Sequence, residues 1–205
     1  KSNQILVSQD LFDDVKANAT LGSNKLLAIE SIPGAKRIET RFQPTWAICR
    51  RLGIQSKQLA SALGSFRGVP HRQEQVAMGG NIVFINDSSA TIPEAVSFST
   101  TSCPWQYVLI CGGTDKNLLA EPMLNALKRA LSIHILDGSF TRNKLLPLLQ
   151  AHELDYQGPF GTMKEAFDSA LASAQAVLGK RSDKPIVAVM LSPGAASFVF
   201  FKHEF

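Results

Sequence analysis

Residues 81–91 have the sequence Asn-Ile-Val-Phe-Ile-Asn-Asp-Ser-Ser-Ala-Thr, in which an apolar run passes directly into polar residues. The first part, Asn81–Asn86, predicts a buried β-strand because β-branched and aromatic residues cluster there. A helix is expected next, with Pro93 in its first turn and Phe98 near its end. One strand followed by one helix is the unit from which parallel sheets are built.

The sequence after this segment repeats the same unit. Further strands are predicted at Tyr107–Cys111, Ile133–Leu136 and Ile186–Leu191. Helices are predicted over Leu118–Leu131, over Leu145–Gln150, from a cap at Thr162 to Leu178, and after Ser192-Pro193-Gly194. Because strands and helices alternate at this spacing, we expect an α/β fold with a parallel sheet covered by helices.

The sequence before this region predicts a second, smaller unit. Short strands are expected at residues 5–7 and 26–29, and helices over Asp10–Thr20, within Arg41–Gly53, and over Lys57–Leu63 after a cap at Ser56. The segment Phe66–Arg72 contains Gly and Pro, which favour a linker. We therefore predict two domains, residues 1–66 and residues 67–205.

The composition excludes several classes of protein. The chain has 205 residues, of which 45% are hydrophobic and 19% charged, as in globular proteins. Its apolar runs are too short to span a bilayer and no signal pattern is found, so we expect a cytoplasmic protein without a membrane partner. The net charge of +4 is scattered, which favours a small anionic ligand over nucleic acid. Three cysteines and four histidines fit no metal-binding spacing.

Both ends of the sequence predict a piece of a longer protein. The chain begins with Lys1, not Met, and Lys202–Phe205 contains no residue that typically ends a helix.

Three polar segments follow predicted strands, at the edge of the sheet where ligands bind in such folds. In Asn86–Thr91 the Asp side chain could accept a hydrogen bond from a ribose, or the segment could only cap a helix. In Gly112–Lys116 the Lys could bind a carboxylate or phosphate, or the segment could be a glycine-rich turn with a solvated Lys. Ser192–Ser197 could bind an anion at a helix N-terminus, or allow close packing of helix and sheet.

A fourth segment, Pro70-His71-Arg72, lies at the predicted domain boundary. Its arginine could bind a phosphate between the domains, or could be an ordinary linker residue. No P-loop spacing, GxxxxGK[ST], occurs in the chain.

Four motifs, taken together and in order, resemble the Mur ligases of peptidoglycan synthesis, and among them the branch that adds D-glutamate. The motifs are Gly68-Val69-Pro70-His71-Arg72, the segment Phe84–Thr91, Gly112-Gly113-Thr114-Asp115-Lys116, and the segment Leu191–Phe198. The resemblance implies a Rossmann-like C-terminal domain preceded by the tail of an α/β ATPase domain. It also implies a monomeric cytoplasmic enzyme of cell-wall biogenesis, which supports cell shape and cell division.

The resemblance further implies an acid–D-amino-acid ligase reaction. ATP phosphorylates the carboxylate of UDP-N-acetylmuramoyl-L-alanine, and the amine of D-glutamate then attacks the acyl phosphate while Mg²⁺ balances charge. Most of the ATP and Mg²⁺ site is expected outside this chain, so the chain alone should be inactive. The implied nucleotide-binding residues are His71, Arg72, Asn86 and Asp87. The implied D-glutamate-binding residues are Thr91, Lys116, Ser197 and Phe198. Lys116 and Arg72 are the implied catalytic residues.

The sequence also departs from the family pattern. Ser89 stands where the family usually has Lys, Val199 where it usually has Asp, and Lys36–Thr40 where it has His-Asn-x-x-Asn. A lost charge-assisted contact weakens binding by about 1.5–3 kcal/mol, or roughly 10- to 100-fold. The departures at Ser89 and Lys36–Thr40 motivate an alternative, a diverged Mur-ligase-like module that binds or has a structural role without catalysis. A third hypothesis is a nucleotide-binding regulator with a flavodoxin-like sheet.

Overall fold

The computed structural model describes residues 5–7, 26–28, 42–183 and 185–196. The chain divides into two compact units, with the division between Arg67 and Gly68. The assignment of these units to an ATPase domain and an amino-acid-binding domain stays a prediction. Along the described residues, every helix is too short or too polar to span a bilayer.

Among its described residues, the first unit has two short parallel strands and two helices. The strands Ile5–Val7 (β1) and Leu26–Ala28 (β2) pair in parallel, at the predicted positions. The helices are Gln43–Arg51 (α1) and Ser56–Ser65 (α2). The prediction of Ser56 as the cap of α2 is wrong, because Gln55 is the N-cap and its N–H donates to Gln58 Oε1 at 3.1 Å. The helix predicted over Asp10–Thr20 lies outside the described residues.

The second unit is built on a six-stranded mixed sheet. Its strands are Glu74–Gly79 (β3), Ile82–Asn86 (β4), Gln106–Gly112 (β5), Ser132–Leu136 (β6), Gln157–Phe160 (β7) and Val187–Leu191 (β8). They lie in the order β3-β4-β8-β5-β6-β7. All neighbouring pairs are parallel except β3 and β4, which are antiparallel.

The antiparallel edge corrects the prediction of a parallel sheet. Only Gly80 and Asn81 separate β3 from β4, and a two-residue loop can join only antiparallel neighbours. Gly80 has a φ of +57°, which this tight turn favours. The rest of the sheet is parallel, so the predicted Rossmann-like α/β fold is confirmed.

Helices cover both faces of the sheet. The helices are Pro93–Ser102 (α3), Leu124–Arg129 (α4), Leu146–Ala151 (α5) and Met163–Gly179 (α6). One core cluster joins the sheet to α3, α4 and α5, and contains Val96, Leu127 and Leu149. The other joins it to α6 through Ala166, Ala170 and Ala174, whose small side chains let the helix approach closely. The predicted Thr162 cap is confirmed, since its hydroxyl accepts from the Glu165 N–H at 3.2 Å.

Two helices differ from their predictions. The helix predicted over Leu118–Leu131 is confined to a 3₁₀ turn at Glu121–Met123 followed by α4, and Leu119 is 67% exposed. Before α5 the chain forms a π-helical turn over Thr141–Leu145, which continues directly into α5, and Pro147 is the second residue of α5. The helix predicted after Pro193 lies outside the described residues.

Candidate active site at the carboxyl edge of the sheet

The segment after β8 lies between the segments that follow β4 and β5. The Gly194 N–H donates to the Ala90 carbonyl at 2.7 Å, which ties it to the β4 segment. The Gly112 N–H donates to the Pro193 carbonyl at 2.8 Å, which ties it to the β5 segment. These backbone hydrogen bonds therefore join the second, third and fourth motifs.

The glycine-rich segment after β5 is held against the end of the β8 segment. Thr114 and Ala196 form an isolated antiparallel bridge, with N···O distances of 2.8 and 3.1 Å. Gly113 has a φ of +142°, and a Cβ there would collide with the Ala196 carbonyl oxygen. Glycine is therefore required for this approach. Within the described residues, Thr114 Oγ1 is buried and has no hydrogen-bond partner.

Residues 137–141, which follow β6, form a further segment that supports the glycine-rich segment from the other side. The Phe140 N–H donates to the Gly113 carbonyl at 3.0 Å, and the Asp115 N–H donates to Ser139 Oγ at 2.9 Å. Gly138 has a φ of +150°, and a Cβ there would overlap with the Gly113 carbonyl. The sequence did not lead us to predict this segment as part of the site. Asp and Gly nevertheless follow β6 directly, just as polar or glycine residues follow β4, β5 and β8.

The β6 segment is itself held by a charged pair and a threonine. Arg142 Nε donates to Asp137 Oδ1 at 2.8 Å, and this hydrogen bond lowers the pKa of the Asp137 carboxyl. The Thr141 hydroxyl donates to the Leu136 carbonyl at 2.6 Å and accepts from the Gly113 N–H at 3.0 Å. Thr141 therefore connects the ends of β5 and β6.

The Val69–Gln73 loop folds back onto the end of β4. His71 and Gln73 have φ values of 63° and 48°, a conformation that residues other than glycine rarely adopt. Asn86 Nδ2 lies 3.0 Å from His71 Nδ1, and the Ser89 N–H donates to the His71 carbonyl at 3.0 Å. The first motif therefore contacts the second.

Asp87 lies beneath this loop and is 3% exposed. One of its carboxylate oxygens, Oδ1, accepts from the Gln73 N–H at 3.0 Å. The other, Oδ2, accepts from the Ser192 hydroxyl at 2.7 Å, and Ser192 is fully buried. The Asp87 side chain thus connects the Val69–Gln73 loop to the fourth motif.

Comparison with curated proteins agrees with this arrangement of motifs. A UDP-N-acetylmuramoylalanine–D-glutamate ligase of Treponema pallidum (strain Nichols) is 38% identical over 150 residues, 73% of this chain. The ligase of the same name from Rhodospirillum rubrum is 32% identical over 204 residues, 94% of this chain. The chain is similar to these ligases along most of its length. Models of protein families give no match to it.

The chain spans only part of the relatives it matches. The aligned part covers 26% of the Treponema protein and 39% of the Rhodospirillum protein. A third relative of the same name, from Roseiflexus sp. (strain RS-1), is 32% identical over 78% of this chain and 33% of its own length.

The two predicted catalytic side chains, Arg72 and Lys116, are both exposed. Thr91 is half-buried, directly after the Ala90 carbonyl that binds the β8 segment. The predicted D-glutamate residues Ser197 and Phe198 lie outside the described residues, one and two positions after Ala196. The roles assigned to all these residues stay predictions.

No group of three or more His, Cys, Asp or Glu side chains in the described ranges is placed to hold a metal ion. The acidic side chains nearest the motifs are used in protein contacts, as Asp87 and Asp137 show. These residues therefore do not fit a resident Mg²⁺, and none of them is assigned to it.

Proposed function

We propose that this chain is part of an ATP-dependent ligase that adds D-glutamate to UDP-N-acetylmuramoyl-L-alanine in peptidoglycan precursor synthesis. The observation that carries the proposal is the similarity to ligases of that name, 38% identical over 73% of the chain in one case. The hydrogen bonds that join the segments after β4, β5 and β8 support it, because these segments carry the predicted substrate residues.

D-Glutamate fits the edge formed by the β5 and β8 segments. It is an amino acid with two carboxylates, and the exposed Lys116 ammonium can bind one of them as a point charge. The hydroxyl groups of Thr91 and Ser197 are suited to donate hydrogen bonds to the other. Phe198 adds an apolar surface for the methylene groups. The bridge between Thr114 and Ala196 holds the chain just before Ser197 beside the segment that carries Lys116.

The nucleotide fits the loop that carries His71 and Arg72. The Arg72 side chain is exposed, and a guanidinium presents five donors in a planar fork that matches phosphate oxygens. Asn86 contacts His71, so both side chains lie in one cluster at the end of β4. We assign the phosphates of ATP to Arg72 and the remaining nucleotide contacts to the cluster of His71, Asn86 and Asp87.

The role of this chain in the reaction is to orient the amino acid. In the amide-forming step the D-glutamate nitrogen forms a bond to the acyl carbon, the bond from that carbon to the phosphate oxygen breaks, and the nitrogen loses a proton. Lys116 holds a carboxylate of D-glutamate, which fixes the direction of the amine and lowers the entropic barrier to attack. Arg72 offsets negative charge on the phosphate groups.

The experiment is a phosphate-release assay on the protein that contains this chain. Turnover should require ATP, UDP-N-acetylmuramoyl-L-alanine and D-glutamate together, and L-glutamate should not replace the D isomer. Lys116→Ala should raise the KM for D-glutamate about 10- to 100-fold, the effect of losing one charge-assisted contact. Lys128→Ala is the matched control, because Lys128 is exposed on α4, and its KM should equal that of the wild type.

Two outcomes would overturn the proposal. Folded protein that binds D-glutamate but releases no phosphate would favour the diverged, non-catalytic module. Equal KM values for Lys116→Ala and Lys128→Ala would remove Lys116 from the amino-acid site.

A further inference from the structure

We propose that residues 197–205 fill an apolar groove between β4 and α6, and that this docking holds Ser197 and Phe198 at the amino-acid site. The docking itself concerns only the fold of the second unit. Its effect on the amino-acid site rests on the proposed function, because the roles of Ser197 and Phe198 come from there.

An open groove lies on the face of the sheet that α6 covers. Its volume is about 420 Å³. Phe84, Val189 and Leu191 line it from the strands, and Met163 and Phe167 line it from the first half of α6. The rings of Phe84 and Phe167 have centroids 5.7 Å apart, yet Phe167 is still 37% exposed. The groove is therefore an apolar surface that water reaches. Its other lining residues are Val76, Ile85, Asn86, Ile110 and Lys164.

The groove is open because one helix is too narrow for this face of the sheet. Six strands span about 24 Å, at about 4.8 Å between neighbours, whereas a helix with its side chains is about 10–12 Å wide. Among the described helices, α3, α4 and α5 share one face, and α6 alone packs on the other, against β5, β6, β7 and β8. The β4 side of that face is left uncovered, although parallel sheets are normally buried on both faces.

The described part of the chain ends beside this groove. β8 lies next to β4, and Leu191 at the end of β8 lines the groove. Ala196, the last described residue, follows five positions later at the carboxyl edge. The nine residues that remain correspond to about 13.5 Å of helix, and the five residues of β4 to about 17 Å of strand. A helix that turns back from Ala196 is therefore long enough to lie along most of the groove.

The sequence of residues 197–205 suits an apolar groove. It is Ser-Phe-Val-Phe-Phe-Lys-His-Glu-Phe, in the part of the chain where a helix is expected. Phe201 and Phe205 are four residues apart and share one face of such a helix. Phe198 is three residues before Phe201, on the same face and one turn nearer the carboxyl edge. His203 falls on the opposite face. The phenylalanine face has the apolar surface that the groove lacks.

The covalent connection favours this segment over a second copy of the chain or another protein. A segment joined to its site by a short link has an effective concentration in the millimolar range. A free partner present at micromolar concentration would have to bind about 1,000-fold more tightly to displace it. Residues 197–205 are therefore the occupant that the position of the groove favours.

Docking of the phenylalanine face would restrain the start of the segment. Ser197 directly follows Ala196, whose N–H and carbonyl are both bound to Thr114. With Ala196 held at one end and Phe201 in the groove at the other, Ser197 and Phe198 are restrained from both sides. D-Glutamate then binds a segment that is already ordered, which avoids the entropic cost of ordering it. The groove thus acts on the affinity for D-glutamate without a contact with it.

The first test detects the docking without catalysis. The methyl groups of Met163, which lines the groove, and of Met123, which is buried on the other face, are followed by NMR in the protein that contains this chain. The double variant Phe201→Ala/Phe205→Ala should shift the Met163 signal, because aromatic rings leave its surroundings, and should leave the Met123 signal in place. His203→Ala is the matched control and should move neither signal. A Met163 signal that is the same in the wild type and the double variant would overturn the proposal.

Two further measurements distinguish the possible occupants. The Met163 signal should be independent of protein concentration, and a dependence would place a second copy in the groove and overturn the proposal. The dye ANS, which binds exposed apolar surface, should bind several-fold more to the double variant than to the wild type or His203→Ala. Equally strong binding of ANS to the wild type would show that the groove is open, which also contradicts the docking.

The last test asks whether the docking supports the amino-acid site. The apparent affinity of a ligand falls in proportion to the fraction of molecules in the binding-competent form. If the double variant keeps the segment docked in about one molecule in ten, its KM for D-glutamate rises about tenfold, while its KM for ATP stays unchanged. An unchanged KM for D-glutamate, or an equal rise in both KM values, would overturn the effect on the site. If Lys116→Ala also leaves the KM for D-glutamate unchanged, the proposed function fails, whereas the Met163 signal still decides the docking.

Discussion

Acidification is expected to destabilise the second unit through one buried histidine. His134, on β6, is fully buried, with its ring nitrogens 3.0 Å from Ser132 Oγ and 3.1 Å from Ser169 Oγ. Burial lowers the pKa of His134 from 6.5 to about 4. In the unfolded chain the imidazole takes up a proton near its ordinary pKa, whereas in the folded chain it stays neutral to about pH 4.

This difference in pKa sets the sign and the size of the change in the free energy of unfolding with pH. Because the unfolded state binds the proton more tightly, stability is complete above the unfolded pKa and falls as the pH drops toward the folded pKa. Between about pH 7.5 and about pH 5 the loss is about 2 kcal/mol. The pKa values of the Asp137 and Asp183 carboxyls are lowered by their arginine partners, so their contributions are lost only at lower pH.

The assay is urea unfolding followed by circular dichroism at a series of pH values. The wild-type free energy of unfolding should fall by about 2 kcal/mol across this range. His134→Gln, which cannot titrate, should lose this drop, although it starts lower because the half-buried hydroxyls of Ser132 and Ser169 lose a partner. His152→Gln, at an exposed position after α5, should keep the drop. A flat wild-type curve, or the same drop in His134→Gln, would refute the reasoning.

Three further predictions concern Gly138, Thr114 and Cys111, which lie in or next to the segments that follow β5 and β6. Gly138→Ala should destabilise the chain by about 2–4 kcal/mol in urea unfolding, because its Cβ would overlap with the Gly113 carbonyl. Gly179→Ala, which meets open space, is its control, and equal midpoints would contradict the close approach. Thr114→Val should leave the stability unchanged or raise it by about 1 kcal/mol, because it removes a buried hydroxyl that has no hydrogen-bond partner among the described residues. A clear loss of stability on thermal unfolding would show that the hydroxyl does have a partner. Cys111 should resist a thiol reagent at neutral pH, because burial raises its pKa to about 12, and labelling before unfolding would contradict this.

The sequence predicted the four inner strands, β4, β5, β6 and β8, because each is a short apolar run that ends in glycine or polar residues. It missed β3 and β7, which lie at the two edges of the sheet and whose residues are mostly exposed. Edge strands have less apolar surface to bury, so their patterning is weaker. The turn Gly80-Asn81 was nevertheless a usable hairpin signal.

The candidate site was predicted as a set of segments but not as a set of contacts. Strand ends mark where Asn86–Thr91 and Gly112–Lys116 lie, since parallel strands end at one edge of the sheet. The order of strands, which puts β8 between β4 and β5, is set by long-range pairing and is not visible locally. For that reason the hydrogen bond between Asp87 and Ser192, 105 residues apart in sequence, could only come from the fold.

The central claim is that the carboxyl edge of this sheet binds D-glutamate through Lys116. Calorimetric titration of the protein that contains this chain, with ATP and UDP-N-acetylmuramoyl-L-alanine present in non-reacting forms, tests it most directly. Binding of D-glutamate, with L-glutamate and D-aspartate much weaker and with the signal lost in Lys116→Ala, is the predicted result. Equal heats for D- and L-glutamate, or binding of D-glutamate that is unchanged in Lys116→Ala, would contradict the claim.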